Sequence, residues 1–108
     1  MKYLMLVCAE PDENDENRVT LDEIEAWFER AGASRLVGSP LVDPSEAWTI
    51  RLRGGKPFVT DGPFAETKEV IAGFDLLECD SDEQALEIAS AHPVATFGAI
   101  ELRRLDES

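Results

Sequence analysis

Three side chains in this sequence could carry a proton, and one loop combines residue types suited to holding a small molecule. Asp61 stands directly before Gly62-Pro63, where its carboxylate can cap the turn or face a pocket beside Trp48. Asp75 falls with Gly73 and Leu77 on one face of a strand. An acid among apolar neighbours is either paired or raised in pKa, so the expected settings are a salt bridge to Arg51 or Arg103, or a water-filled cavity edge. His92 is expected in the last turn of a helix before Pro93, where the helix dipole favours its charged form. As the only histidine, with no His/Cys cluster around it, it cannot build a metal site of the usual kind, and none is expected.

The loop is Asp61-Gly62-Pro63-Phe64-Ala65-Glu66-Thr67-Lys68-Glu69. Glycine admits positive φ, proline lacks an N–H, and the residue before proline is pushed out of the α region, so neither a strand nor a helix can run through it. Phe64 offers an apolar wall, Lys68 a positive charge, and Glu66 and Thr67 further polar groups. With Trp48, Asp61, Gly62 and Pro63 these form the expected ligand-binding set. The nine residues DGPFAETKE resemble the signature of DGPF-domain proteins, a branch of the YCII-related family in the dimeric α/β-barrel superfamily. That resemblance implies a homodimer with sheets packed face to face, and a link to stress signalling through alternative sigma factors. Relatives in the wider family carry a His/Asp pair associated with acid–base work. Its histidine belongs to a different part of the fold, so the pair is not carried over to His92.

The elements that must position these residues follow from periodicity. Residues 3–9 are apolar at consecutive positions, which predicts a strand buried on both faces. Residues 10–18 read as a charged connector. Thr20 and Glu23 form a capping box, with Val19 stapled to Ile24, opening a helix to Ala31 whose core face is Leu21, Ile24, Phe28 and Ala31; Gly32 stops it. Trp27 and Phe28 read as core packing and not as an aromatic ligand box. A short strand is expected over residues 35–42, then a hairpin turning at Gly54-Gly55 with Leu52 opposite Pro57, Ile50 opposite Val59 and Trp48 opposite Asp61. Residues 70–79 form another strand with two apolar faces, Ser81 to Gln84 a second capping box, and residues 97–105 the last strand with Ile100 and Leu102 inward.

This order predicts one α+β domain over residues 1–108, a ferredoxin-like antiparallel sheet with two helices on one face. Two helices cover a single face, so the doubly apolar strands need a partner's sheet; patterning alone argues for a homodimer. Ten basic against 23 acidic residues give a net charge of −13, which repels nucleic-acid phosphates and anionic membranes. The acidic stretch 10–29 reads as a solvated face. No apolar run is long enough to span a membrane, and residues 1–8 read as a strand and not as a leader. Cys8 and Cys79, outside any CxxC, fit a reducing cytoplasm as small buried hydrophobes.

No Ser/His/Asp order, GxGxxG after a strand or P-loop is present, and no cofactor is expected. The function read from these residues is a dimeric small-molecule-binding or regulatory module. The alternative is a metal-independent lyase, isomerase or monooxygenase using Asp61, Asp75 or His92 as acid or base. A third reading is a partner-docking subunit working through the acidic segment.

Overall fold

The computed structural model describes residues 1–11, 19–65 and 67–107. The first helix, α1 (Leu21–Ala31), starts on the expected capping box. Thr20 Oγ1 accepts the Glu23 N–H at 3.1 Å, and Glu23 Oε1 accepts the Thr20 N–H at 3.4 Å. Gly32, at φ 53°, closes the helix with its N–H donating to Phe28 O. The core face differs from the expected stripe. Trp27 and Ala31 are buried, Ile24 is half-buried, and Leu21 is 70% exposed. Trp27 sets this rotation, because its indole N–H must find a buried partner and donates at 2.9 Å to Ile88 O of the second helix.

The second helix, α2 (Asp82–Ser90), buries Ala85, Ile88 and Ala89 and leaves Leu86 exposed. Only half of its expected capping box forms. Ser81 Oγ accepts the Gln84 N–H at 3.1 Å, but Gln84 Oε1 accepts from the Asp80 N–H, one residue further out.

Four strands, β1 (Lys2–Ala9), β2 (Arg35–Pro40), β5 (Val70–Glu78) and β6 (Ala99–Arg104), build one antiparallel sheet in the order β2-β5-β1-β6. With α1 and α2 on one face, this is the ferredoxin-like α+β arrangement. Under the helices lie Tyr3, Met5, Val7 and Leu77, all buried. Leu4, Leu6, Phe74 and Leu76, on the opposite face, are only half-buried. Strand β2 is two residues shorter than expected, because Asp43 Oδ1 accepts the Ser45 N–H and turns the chain into a 3-10 segment at Pro44–Glu46. Strand β6 starts later than expected because Phe97 and Gly98 both donate their N–H to Val94 O, closing the turn at Pro93–Thr96.

Between β2 and β5, β3 (Trp48–Arg53) and β4 (Lys56–Asp61) form a separate two-stranded sheet in the register expected, Leu52 opposite Pro57 through Trp48 opposite Asp61. Gly54 and Gly55 turn it with φ 58° and 77°, the paired positive values that a two-residue turn of this hand requires. This hairpin projects from the body, and the molecule measures 47 × 44 × 18 Å. No helix among the described residues is long and apolar enough to cross a membrane.

Candidate functional site

Strand β5 points Asp75 toward α1, where the carboxylate is 6% exposed. Its partner is neither Arg51 nor Arg103. Arg51 sits on the projecting hairpin, and Arg103 pairs with Leu4 on the sheet face turned away from the helices. Arg35, at the start of the neighbouring strand β2, donates from Nε to Asp75 Oδ1 at 2.6 Å, and its guanidinium lies 4.4 Å over the Phe28 ring. Burial pushes the Asp75 carboxyl up from the ordinary value, and the Arg35 hydrogen bond and charge only partly pull it back.

His92 is buried at 5% exposure and does not end α2. It caps the 3-10 turn Pro93–Thr96, its Nδ1 accepting the Val94 N–H at 3.1 Å. The expected charged form gives way to a neutral one, because burial lowers the pKa from 6.5 to about 4, well below what a helix end could offset. An Nδ1 that accepts places the proton on Nε2, so His92 is a hydrogen-bond donor at that atom. Trp27 holds the ring edge-on, with centroids 4.8 Å apart.

These groups meet in one cleft of about 320 Å³ between α1, the sheet and the turn after α2. Asp75, Arg35 and His92 supply its polar atoms, and Phe28, Ile24, Val94 and Val7 its apolar walls. A compact apolar cavity with a few convergent polar groups is the common form of a small-molecule site. Two sequence-predicted residues, Asp75 and His92, are brought together here. Arg35 and Phe28 were missed as site residues. A lone glycine, Gly38, in the middle of short β2 was the available signal, since glycine in a strand marks a close approach.

The DGPF loop lies elsewhere and shares no lining residue with this cleft. Asp61 ends β4 opposite Trp48 and lines a polar groove of about 500 Å³ with Asp43, Ser45, Gly62, Pro63 and Thr67. Gly62, at φ 101°, pins the base of the hairpin: its N–H donates to Ala47 O at 2.7 Å, and its carbonyl accepts from Thr49 Oγ1 at 2.8 Å. The Thr67 hydroxyl donates to Glu69 O. Phe64 is 80% exposed, with the Arg51 guanidinium 5.6 Å from its ring, and Lys68 is exposed. Trp48 is 71% exposed on the hairpin. Glu66 lies outside the described residues, as does most of the charged connector after Pro11.

The model of the YCII-related domain matches residues 1–107. An uncharacterized protein, R00369, of Rhizobium meliloti (strain 1021) is 44% identical over 69 residues, covering 60% of this chain and 54% of that protein. The chain thus spans about half the length of the curated relative it matches. Among solved structures, 5-chloro-2-hydroxyhydroquinone dehydrochlorinase (TftG) from Burkholderia phenoliruptrix AC1100, in complex with 2,5-dihydroxybenzoquinone, superposes with a TM-score of 0.55 at 16% identity. That likeness covers 100% of this chain and 96% of the other, and it agrees with the fold described above. With the family model spanning nearly every residue, the chain belongs to the YCII-related family.

Proposed function

We propose that this protein is a dimeric small-molecule-binding module whose ligand site is the Asp75 cleft. The observation that carries the reading is the convergence of Asp75, Arg35 and His92 on one mostly apolar cavity. His92 Nε2–H and the Arg35 guanidinium are donors, so the ligand is a compact organic molecule offering an acceptor oxygen, with an apolar body against Phe28 and Ile24. The uncovered sheet face, with Leu4, Leu6, Phe74 and Leu76, supports pairing of two copies sheet to sheet. A cytoplasmic setting is in keeping with the free thiols of Cys8 and Cys79. A regulatory role linked to sigma factors rests on the family resemblance alone.

One observation favours a second, catalytic reading. The raised pKa of Asp75 moves a carboxyl toward the range where it can exchange a proton, in a metal-independent lyase or isomerase reaction. His92 would serve there as a neutral donor to a developing oxyanion, as its tautomer directs.

The experiment is a metabolite screen by thermal shift on the chain and on Asp75→Asn, Asp61→Asn and Lys68→Ala. Hits that survive Asp61→Asn and Lys68→Ala but vanish in Asp75→Asn assign the cleft. Hits lost with Asp61 or Lys68 and kept in Asp75→Asn move the site to the DGPF loop and sink this reading. Turnover of a hit, absent in Asp75→Asn, selects the catalytic form.

A further inference from the structure

The hairpin β3–β4 presents an apolar face that no other element among the described residues covers. Its register puts Trp48, Ile50 and Leu52 on that face with Pro57 and Val59, and Arg51, Arg53 and Lys56 on the other. Trp48, Ile50, Leu52 and Val59 are 71%, 66%, 65% and 60% exposed. A lone two-stranded hairpin is marginal in water and needs a third layer to hold it. None of the described elements provides one, and the Cα radius of gyration is 15.8 Å, against about 13 Å for a compact chain of this length.

We propose that this hairpin is a docking arm that seats its apolar face on a second copy of the same chain. Two observations choose that occupant. The first is charge. The arm carries Arg51, Arg53 and Lys56 against the single Asp61, while the chain as a whole stands at −13. A basic arm is attracted over a distance by the net negative charge of another copy, whichever of the arm's faces carries the cations. The same net charge opposes an approach to nucleic acid or an anionic membrane.

The second observation is continuity. At the base of the arm an apolar groove of about 510 Å³ is lined by Leu41, Val42, Ala47, Phe64 and Ile71. Ile71 pairs with Cys8, so it belongs to the sheet face left uncovered by the helices. The apolar surface therefore continues from that sheet face, along the groove, to Ala47 at the base of the arm, next to Trp48 in the chain. A second copy seated on the sheet face meets the arm at its edge. The arm rests on the pairing of copies proposed above and adds to it a specific clasp.

The test is sedimentation of the full chain over a dilution series, with Leu6→Asp on the sheet face, Ile50→Asp on the arm, and the double variant Arg53→Gln, Lys56→Gln. The chain is expected to be a dimer at micromolar concentration. Ile50→Asp is expected to weaken it about 100-fold, the size of loss at a central interface residue, with an unchanged far-UV spectrum. The double variant is expected to weaken it a few-fold and to flatten its salt dependence. In addition, the emission of Trp48, taken as the difference from a Trp48→Phe chain, is expected to move to shorter wavelength as the dimer forms. If Leu6→Asp dissociates the dimer while Ile50→Asp does not, or if Trp48 emission is unchanged through the transition, the arm proposal fails and the pairing stands. A chain that is monomeric at tens of micromolar removes both, and leaves the ligand screen above as an independent measure of the cleft.

Discussion

Gly38 stands directly opposite Asp75 in the β2–β5 ladder, and a methyl group built at position 38 would lie 1.9 Å from Asp75 Oδ1. The same methyl would lie 2.7 Å from Arg35 Nη2. The missing side chain of one strand is thus the space in which the ion pair of its neighbour sits. Gly38→Ala is expected to displace the carboxylate or the guanidinium. The loss should be about 1–3 kcal/mol, the range for overpacking a buried site. Urea unfolding measures it, with Ser39→Ala as the neighbouring control expected to stay within about 0.5 kcal/mol.

Arg35→Met tests the pair from the other side. Removing the guanidinium leaves a buried carboxylate without its partner, a change that costs about 3–5 kcal/mol when the site is fully buried. Arg35 is partly exposed, with 26% of its side chain accessible, so the lower end of that range is expected. The pH dependence follows from the direction of the shift. Asp75 is raised in the fold, so its ionisation already weakens the native state as pH rises through the folded pKa. Without Arg35 the carboxyl rises further. The stability gap between Arg35→Met and the parent should therefore be widest at neutral pH and close in acid, where Asp75 is protonated in both. A gap independent of pH would show that Arg35 acts by packing on Phe28 alone.

For His92 the sign is opposite. Its pKa falls from 6.5 to about 4 on folding, so the unfolded chain binds the extra proton between those values. The stabilisation is complete above about pH 6.5 and is lost as pH drops toward 4 and below, by up to about 3 kcal/mol. Over the same range Asp75, with its raised pKa, contributes in the reverse direction, and the Arg35 charge stays fixed. The contribution of His92 is isolated by His92→Asn, whose side-chain oxygen can still accept the Val94 N–H. The difference in stability between the chain and this variant should change by that amount from pH 7 to pH 4. A flat difference would mean that folding leaves the His92 pKa unshifted.

Local chemistry was the most legible level of this sequence. Thr20 with Glu23, and Gly54 with Gly55, fix their own geometry through bonds to near neighbours, so the cap and the hairpin register could be read directly. The face that α1 buries could not. Leu21 and Phe28 have the right spacing, but the position of Ile88 O across the core decides that Trp27 turns inward. The same holds for the site. Asp75 was visible as an acid among apolar residues, yet its partner depends on which strand lies beside β5, a long-range pairing that no spacing reports. His92 looked like a helix end because Pro93 follows it, and only the tertiary burial makes it neutral.

The base of the arm supplies the last prediction. Gly62 holds φ 101°, where a side chain is strained even though a methyl there would meet no atom within 4 Å. Gly62→Ala is expected to cost about 1–3 kcal/mol through backbone strain alone. Thr49→Val removes the hydroxyl that donates to the Gly62 carbonyl, with an expected loss of about 1 kcal/mol. Both changes act where the hairpin joins the body, in a sheet separate from that of β1 and β5. Their effect should therefore be local. Amide exchange should quicken across β3 and β4, at residues such as Ile50 and Val59, while protection at Met5 and Leu77 in the core sheet stays as in the parent. Equal acceleration in both sheets would show instead that the arm and the body unfold as one unit, and that the loop's Asp61-Gly62 turn stabilises the whole domain.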